Sequence, residues 1–184
     1  EESVHYTADN FLNDSMVATC YYNSDKDYLL VVYSNANIDV IKRDGSVVNI
    51  PDILNARITG DRAVNDVAFA DGKIYIATDF GLVVVNDSDF RVALSGQYRG
   101  GAKHIPSGGP DKIAIMGDKL MGVWGKDLYE SLPADNSRTY REAEKFKYVG
   151  TLPVGGVKQM LADGDKALVL RVPNGTSNVV DRVH

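Results

Sequence analysis

The sequence predicts an all-β protein that forms part of a β-propeller, a fragment of about four blades, because of three observations. First, a short apolar run, a tight polar turn and a second apolar run recur along the 184 residues. Second, the equivalent positions Tyr28, Ile74, Leu120 and Ala167 are separated by 46, 46 and 47 residues. Third, each complete repeat holds enough apolar runs for a four-stranded antiparallel meander, and sheets of this period are the blades of propellers.

The second repeat shows how its four strands are predicted. Asp71-Gly72 lies between two apolar runs and is a strong hairpin signal, because glycine accepts the positive φ of such turns. Polar turns at residues 79–81 and 86–89 separate the further runs. The second and third runs are apolar on both faces, which predicts strands covered on both sides, whereas the last run alternates apolar residues with Arg91.

The repeat also sets the domain organisation, a single partial propeller over residues 1–184. Blades are predicted at about residues 16–62, 63–108, 109–155 and, incompletely, 156–184, and residues 1–8 suggest the outer strand of a preceding blade. Closed propellers have typically 4–8 blades. This chain holds fewer than four complete repeats, so we expect it to be a fragment of a longer protein. The apolar faces at its two ends predict self-association, as a homodimer, through exposed blade faces or edges.

Several local features carry narrower predictions. The segment 137–145 has the best helical composition and is predicted to form a loop or about one turn. Cys20, the only cysteine, lies in an apolar run and is predicted to be a buried, unreactive thiol. The pairs Asn37/Asp39 and Asn65/Asp66 are predicted to be structural, with side chains that bind turns and strand ends of neighbouring backbone.

Composition excludes several classes of function. Lys and Arg number 20 and Asp and Glu 25, which gives a net charge of −5 without basic clusters, so nucleic acid is not an expected partner. No apolar run reaches the ~18 residues of a membrane span. His5, His104 and His184 lie in separate segments, and no catalytic or metal-binding motif is present. We therefore predict a protein that is not an enzyme and has no catalytic, metal or cofactor site.

Two features are candidates for ligand binding. Arg99, Lys103 and His104 form a cationic, glycine-rich loop whose backbone amides could hold a phosphate or carboxylate; the alternative is a simple connection between the second and third repeats. Trp124 is the only tryptophan, and its indole could stack on a sugar ring; the alternative is packing within a blade.

Several strings of the sequence closely resemble the N-terminal β-propeller of the PorZ-like proteins of Bacteroidota. The most specific are Y-S-N-A-N-I-D at residues 33–39 and N-I-P-D-I at residues 49–53. The similarity is densest over residues 28–94, and beyond about residue 100 it rests on the repeat alone. The resemblance implies that the chain lacks the family's first blade and everything after the fourth.

The resemblance implies an exported protein, periplasmic or at the cell surface, with two propellers and a small C-terminal β-domain. It implies a non-catalytic binding or scaffolding role in a cell-surface complex that processes and attaches secreted proteins, with protein partners or an anionic surface glycan. Similar propellers form periplasmic sensor regions of hybrid two-component regulators, so a ligand-sensing ectodomain is the alternative. An enzyme with its site on the ring axis is a third possibility.

Overall fold

The protein is described here by a computed structural model, which covers residues 3–100, 106–133, 139–173 and 178–183. These residues form antiparallel β-sheets with two single-turn 3-10 helices, Thr139–Arg141 and Ala143–Lys145. The all-β prediction and the prediction of about one helical turn are therefore confirmed. The chain divides into two compact units, Glu1–Val64 and Asn65–His184. No helix in the described residues is long and apolar enough to cross a membrane.

The first unit contains one four-stranded meander. Its strands pair in the order of the sequence: β1 (Val17–Asn23), β2 (Tyr28–Tyr33), β3 (Ile38–Lys42) and β4 (Val47–Ile50). Most residues of β2 and β3 are buried, on both faces of the sheet, as their continuous apolar runs predict.

The second unit contains three further antiparallel sheets. The second sheet of the chain comprises β5 (Val64–Ala70), which begins at the unit boundary, β6 (Lys73–Thr78), β7 (Gly81–Asn86) and β8 (Val92–Gln97). The third comprises β9 (Lys112–Met116), β10 (Lys119–Trp124), β11 (Asp127–Ser131) and β12 (Phe146–Thr151). The fourth has three strands, β13 (Gly156–Asp163), β14 (Lys166–Val172) and β15 (Val179–Val183).

The predicted hairpin between β5 and β6 is confirmed by its backbone. Asp71 and Gly72 have φ angles of 49° and 68°, the left-handed conformation that two-residue hairpin turns require. The same arrangement of strands and turns recurs in the first three sheets, and its first three strands recur in the fourth, which explains the near-constant period of the sequence.

Neighbouring sheets of the second unit pack face to face. Leu82 and Leu94 of the second sheet share a buried apolar cluster with Ile113 and Leu120 of the third. Met121 of the third sheet belongs to a second cluster, which it shares with Met160 and Val169 of the fourth. Burial of each such side chain contributes about 1.5–3 kcal/mol, so apolar contact between sheets is the main stabilising interaction of this unit.

One detail differs from the expectations. The prediction that Cys20 is buried is wrong: it is exposed, because β1 is an edge strand and an apolar run does not reveal which of its faces is covered. Partial desolvation nevertheless raises the pKa of its thiol. Among the described residues Ser3 to Thr7 form no strand and a turn follows; a pairing of residues 1–8 with a preceding blade stays a prediction.

Candidate functional site

The predicted cationic loop leaves the second sheet after β8 and enters the third at β9. Its base is closed by a β-bridge between Arg99 and Ser107 and by the amide of Gly108, which donates to the Tyr98 carbonyl at 2.7 Å. Arg99 is exposed at the start of the loop. Lys103 and His104 lie outside the described residues, so their contribution to an anion site stays a prediction.

Trp124, the second candidate, lies at the base of the same loop. Its indole Nε1 donates to the Gly108 carbonyl oxygen at 2.9 Å. Its half-buried ring also contacts Tyr98, Tyr129 and Phe146, with centroid distances of 6.2, 5.1 and 5.3 Å. The structure therefore brings the two candidates together and gives the indole a packing and anchoring role, while stacking on a sugar stays a prediction.

A close backbone contact holds the other end of the loop against the second sheet. The Gly109 amide donates to the Asp79 carbonyl at 3.0 Å. A Cβ atom on Gly109 would lie 1.7 Å from the carbonyl oxygen of Thr78 and 2.5 Å from that of Gly81. Only glycine fits here, so the last residues of the loop have a fixed position.

The first strands of the second and third sheets are joined by polar contacts beside the loop. The Asp66 carboxylate accepts a hydrogen bond from the Ile113 amide at 2.9 Å. The Lys112 ammonium lies 3.8 Å from Asp66 and donates to the Asn65 carbonyl at 3.0 Å. These contacts agree with the structural role predicted for Asn65 and Asp66, and they add Lys112, which the sequence did not single out because its partners lie 46 and 47 residues away.

In the first unit, a centre of polar contacts surrounds Asp39, which is fully buried. Its carboxylate accepts hydrogen bonds from the Tyr33 hydroxyl at 2.6 Å, from the backbone amide and side chain of Asn13 at 2.8 Å each, and from Asn49 at 2.8 Å. Burial, and then the bond to Asp39, raise the pKa of the Tyr33 hydroxyl. The centre is therefore a structural support, as predicted for Asp39.

A cavity of about 380 Å³ opens between the first hairpin turns of the third and fourth sheets. Asp118, Glu130 and Asp165 line it, together with Lys119, whose ammonium lies 2.6 Å from Glu130. That carboxylate raises the pKa of Lys119. In the part of the chain that the structure describes, no group of three or more His, Cys, Asp or Glu side chains could hold a metal ion.

Comparisons with known proteins indicate that the fold of this chain is a propeller and show the family to which it belongs. The sequence model of the N-terminal β-propeller domain of the type IX secretion protein PorZ matches residues 1–109. No curated protein matches the sequence.

Solved structures show the same fold at low sequence identity. PorZ of Porphyromonas gingivalis, described as an essential bacterial surface component of the type IX secretion system, is 20% identical with a TM-score of 0.65; 92% of this chain matches 22% of that one. The extracellular domain of BT4673 from B. thetaiotaomicron, described as a one component system, is 13% identical with a TM-score of 0.63; 97% of this chain matches 23% of that one.

BamB of Moraxella catarrhalis is 14% identical with a TM-score of 0.54, and 99% of this chain matches 54% of that one. The chain thus spans about a fifth of the length of PorZ and of BT4673 and about half of BamB.

Proposed function

Because the chain belongs to the family of the PorZ N-terminal β-propeller domain, we propose that it is a non-catalytic binding module of an exported protein that acts in secretion or attachment of proteins at the cell surface. Two findings support this proposal. The family model covers more than half of the chain, and the PorZ structure with the same fold comes from a surface component of the type IX secretion system. Its partners would be other proteins of the cell envelope or a surface glycan.

The observation that carries the proposal is the anchored loop between β8 and β9. A base closed by the bridge between Arg99 and Ser107 and bonded to Trp124 flanks a segment that the sequence shows to be basic. Binding loops on rigid scaffolds are a common form of recognition site, because the scaffold lowers the entropic cost of ordering the loop. The ligand chemistry that this loop favours is anionic, such as the phosphate or carboxylate of a surface polysaccharide.

Substitution of both basic residues tests this site. We expect Arg99→Ala with Lys103→Ala to weaken binding of purified anionic lipopolysaccharide about tenfold, because two cations at roughly 0.7 kcal/mol each contribute about 1.4 kcal/mol. Isothermal titration of the chain with the polysaccharide at low and high salt gives the affinities. The matched control is Arg91→Ala with Lys147→Ala, which removes the same charge from exposed positions outside the loop. Equal affinities for the two double variants would contradict the loop as the binding site.

A second candidate function is a ligand-sensing ectodomain of a signalling protein. It is favoured by the likeness to the extracellular domain of BT4673, whose TM-score of 0.63 is close to that of PorZ. The complete reading frame of the protein separates the two: a transmembrane helix followed by a kinase core indicates a sensor, whereas a small C-terminal β-domain indicates a secretion component. Both candidates place the chain outside the inner membrane, which cell fractionation checks.

A further inference from the structure

Tyr98 connects two segments that are far apart in the sequence. Its backbone belongs to the base of the candidate loop, where its carbonyl accepts from the Gly108 amide at 2.7 Å. Its hydroxyl donates to the carbonyl oxygen of Tyr140, 42 residues away, at 2.6 Å. Tyr140 lies in the 3-10 helix Thr139–Arg141, which follows β11 of the third sheet. One side chain therefore links the loop base to this helix.

The hydroxyl of Tyr98 makes this bond in a buried site. The side chain is 3% exposed, and its ring lies 5.4 Å from that of Phe146 and 6.2 Å from that of Trp124. Burial raises the pKa of Tyr98, so the hydroxyl keeps its proton at neutral pH and acts as the donor. Because little water can reach the site, breaking the bond leaves the hydroxyl without an acceptor.

The helix lies against the strand that leads into the loop. A Cβ atom on Gly96 of β8 would lie 2.5 Å from the Tyr140 carbonyl oxygen and 2.9 Å from the Cα atom of Arg141. Glycine at this position therefore allows the helix backbone to contact β8 directly. On the same sheet, the ring of Tyr75 lies 5.8 Å from the Tyr140 ring, edge to face. The carbonyl that accepts from Tyr98 thus has a defined position on the second sheet.

From these contacts we propose that Tyr98 is a positioning residue of the candidate loop and that it holds the loop base in place through the Tyr140 carbonyl. Opening of the loop base then requires this hydrogen bond to break, so the position of the helix influences the loop. A partner that displaces the helix from β8 would loosen the loop, which gives the binding site a point of control away from its ligand. The inference rests on the proposed function only for the claim that this loop binds a ligand.

Hydrogen exchange of single backbone amides, measured by NMR on the chain without ligand, tests the link. We expect Tyr98→Phe to accelerate exchange at Gly108 and Gly109 about fivefold, the factor that one net hydrogen bond contributes to an opening equilibrium. Exchange of the β14 amides in the fourth sheet should stay the same, since a positioning role is local. Unchanged rates at both glycines would overturn the proposal, as would an equal acceleration in β14, which indicates a general loss of stability.

Tyr129→Phe is the matched control. Tyr129 is also buried, and its ring lies 5.1 Å from that of Trp124, but among the described residues its hydroxyl makes no bond to the helix. This variant should keep the wild-type exchange rates at Gly108 and Gly109. If it accelerated exchange as much as Tyr98→Phe does, the bond to Tyr140 would have no special role.

A double-mutant cycle tests whether the helix acts on the loop through this bond. Gly96→Ala should displace the helix and accelerate exchange at Gly108, because the new Cβ meets backbone atoms of Tyr140 and Arg141. In the Tyr98→Phe background the same change should have little further effect, since the bond is already absent. Circular dichroism checks that each variant is folded. Fully additive effects of the two substitutions would contradict the link.

Titration with anionic lipopolysaccharide separates this inference from the proposed function. We expect Tyr98→Phe to weaken the binding by about two- to fivefold, because a loosened loop loses more conformational entropy when it binds. A wild type that does not bind would contradict the proposed function, while the exchange rates still decide whether Tyr98 positions the loop base. Equal affinities of wild type and Tyr98→Phe, together with accelerated exchange, would show that the loop base does not control the binding site.

Discussion

Asp39→Ala is expected to lower the free energy of unfolding of the first unit by about 3 kcal/mol, because it removes the acceptor of four hydrogen bonds and leaves the buried Tyr33 hydroxyl without its acceptor, which by itself costs about 1–3 kcal/mol. The donors are the Tyr33 hydroxyl, the Asn49 amide and both nitrogens of Asn13. Asn13 precedes β1 and Asn49 lies in β4, so loss of this one carboxylate releases contacts across the whole sheet.

Urea unfolding followed by far-ultraviolet circular dichroism measures this effect, because the only tryptophan lies in the second unit and does not report on the first. Asp14→Ala is the control: Asp14 also binds an asparagine side chain, that of Asn35, but at an exposed position, so its loss should have a much smaller effect. Equal losses for the two variants would show that Asp39 is not the centre of the sheet.

Gly109→Ala is expected to lower the free energy of unfolding of the second unit by about 3 kcal/mol, at the upper end of the usual cost of an added methyl group in a packed site. The new Cβ would lie 1.7 Å from the Thr78 carbonyl oxygen and 2.5 Å from that of Gly81, and both are backbone atoms that cannot rotate away. The loop must therefore move from the second sheet, and the neighbouring Gly108 carbonyl would move from the indole of Trp124.

Tryptophan fluorescence is the appropriate measurement, since a change in emission of the folded variant reports on the Trp124 environment and a urea titration of the same signal gives the stability. Gly156→Ala is the control, because no atom lies within 4 Å of its Cβ position and its φ is not positive. The loop base would not be fixed as described if both alanine variants had the stability and emission of the wild type.

The sequence predicted the meanders because their signals are local. Alternation of apolar residues and turns such as Asp71-Gly72 depend on neighbours a few residues apart, and the 46-residue spacing repeats them. The burial of β2 and β3 follows from their continuous apolar runs. The exposure of Cys20 could not be predicted, because it depends on which face of an edge strand another part of the chain covers.

The sequence indicates individual residues of the candidate site but not how these residues are arranged in space. Arg99 and Trp124 each stood out by residue type, but the hydrogen bond from Trp124 to Gly108 arises from the fold of the third sheet. Lys112 could not be predicted as part of this arrangement, since a lone lysine at the start of a strand has no local signal. The cavity near Asp118 and Asp165 likewise depends on two turns that are 47 residues apart in sequence.

The most direct test of the proposed binding role is site-specific photocross-linking in the bacterium that produces the full-length protein. A photoreactive residue replaces Arg99 in one strain and Arg91 in another; both arginines are exposed, and they flank opposite ends of β8. The account predicts that position 99 cross-links to lipopolysaccharide or to a protein of the secretion machinery and that position 91 does not. Absence of cross-links from position 99, or the same products from both positions, would contradict it.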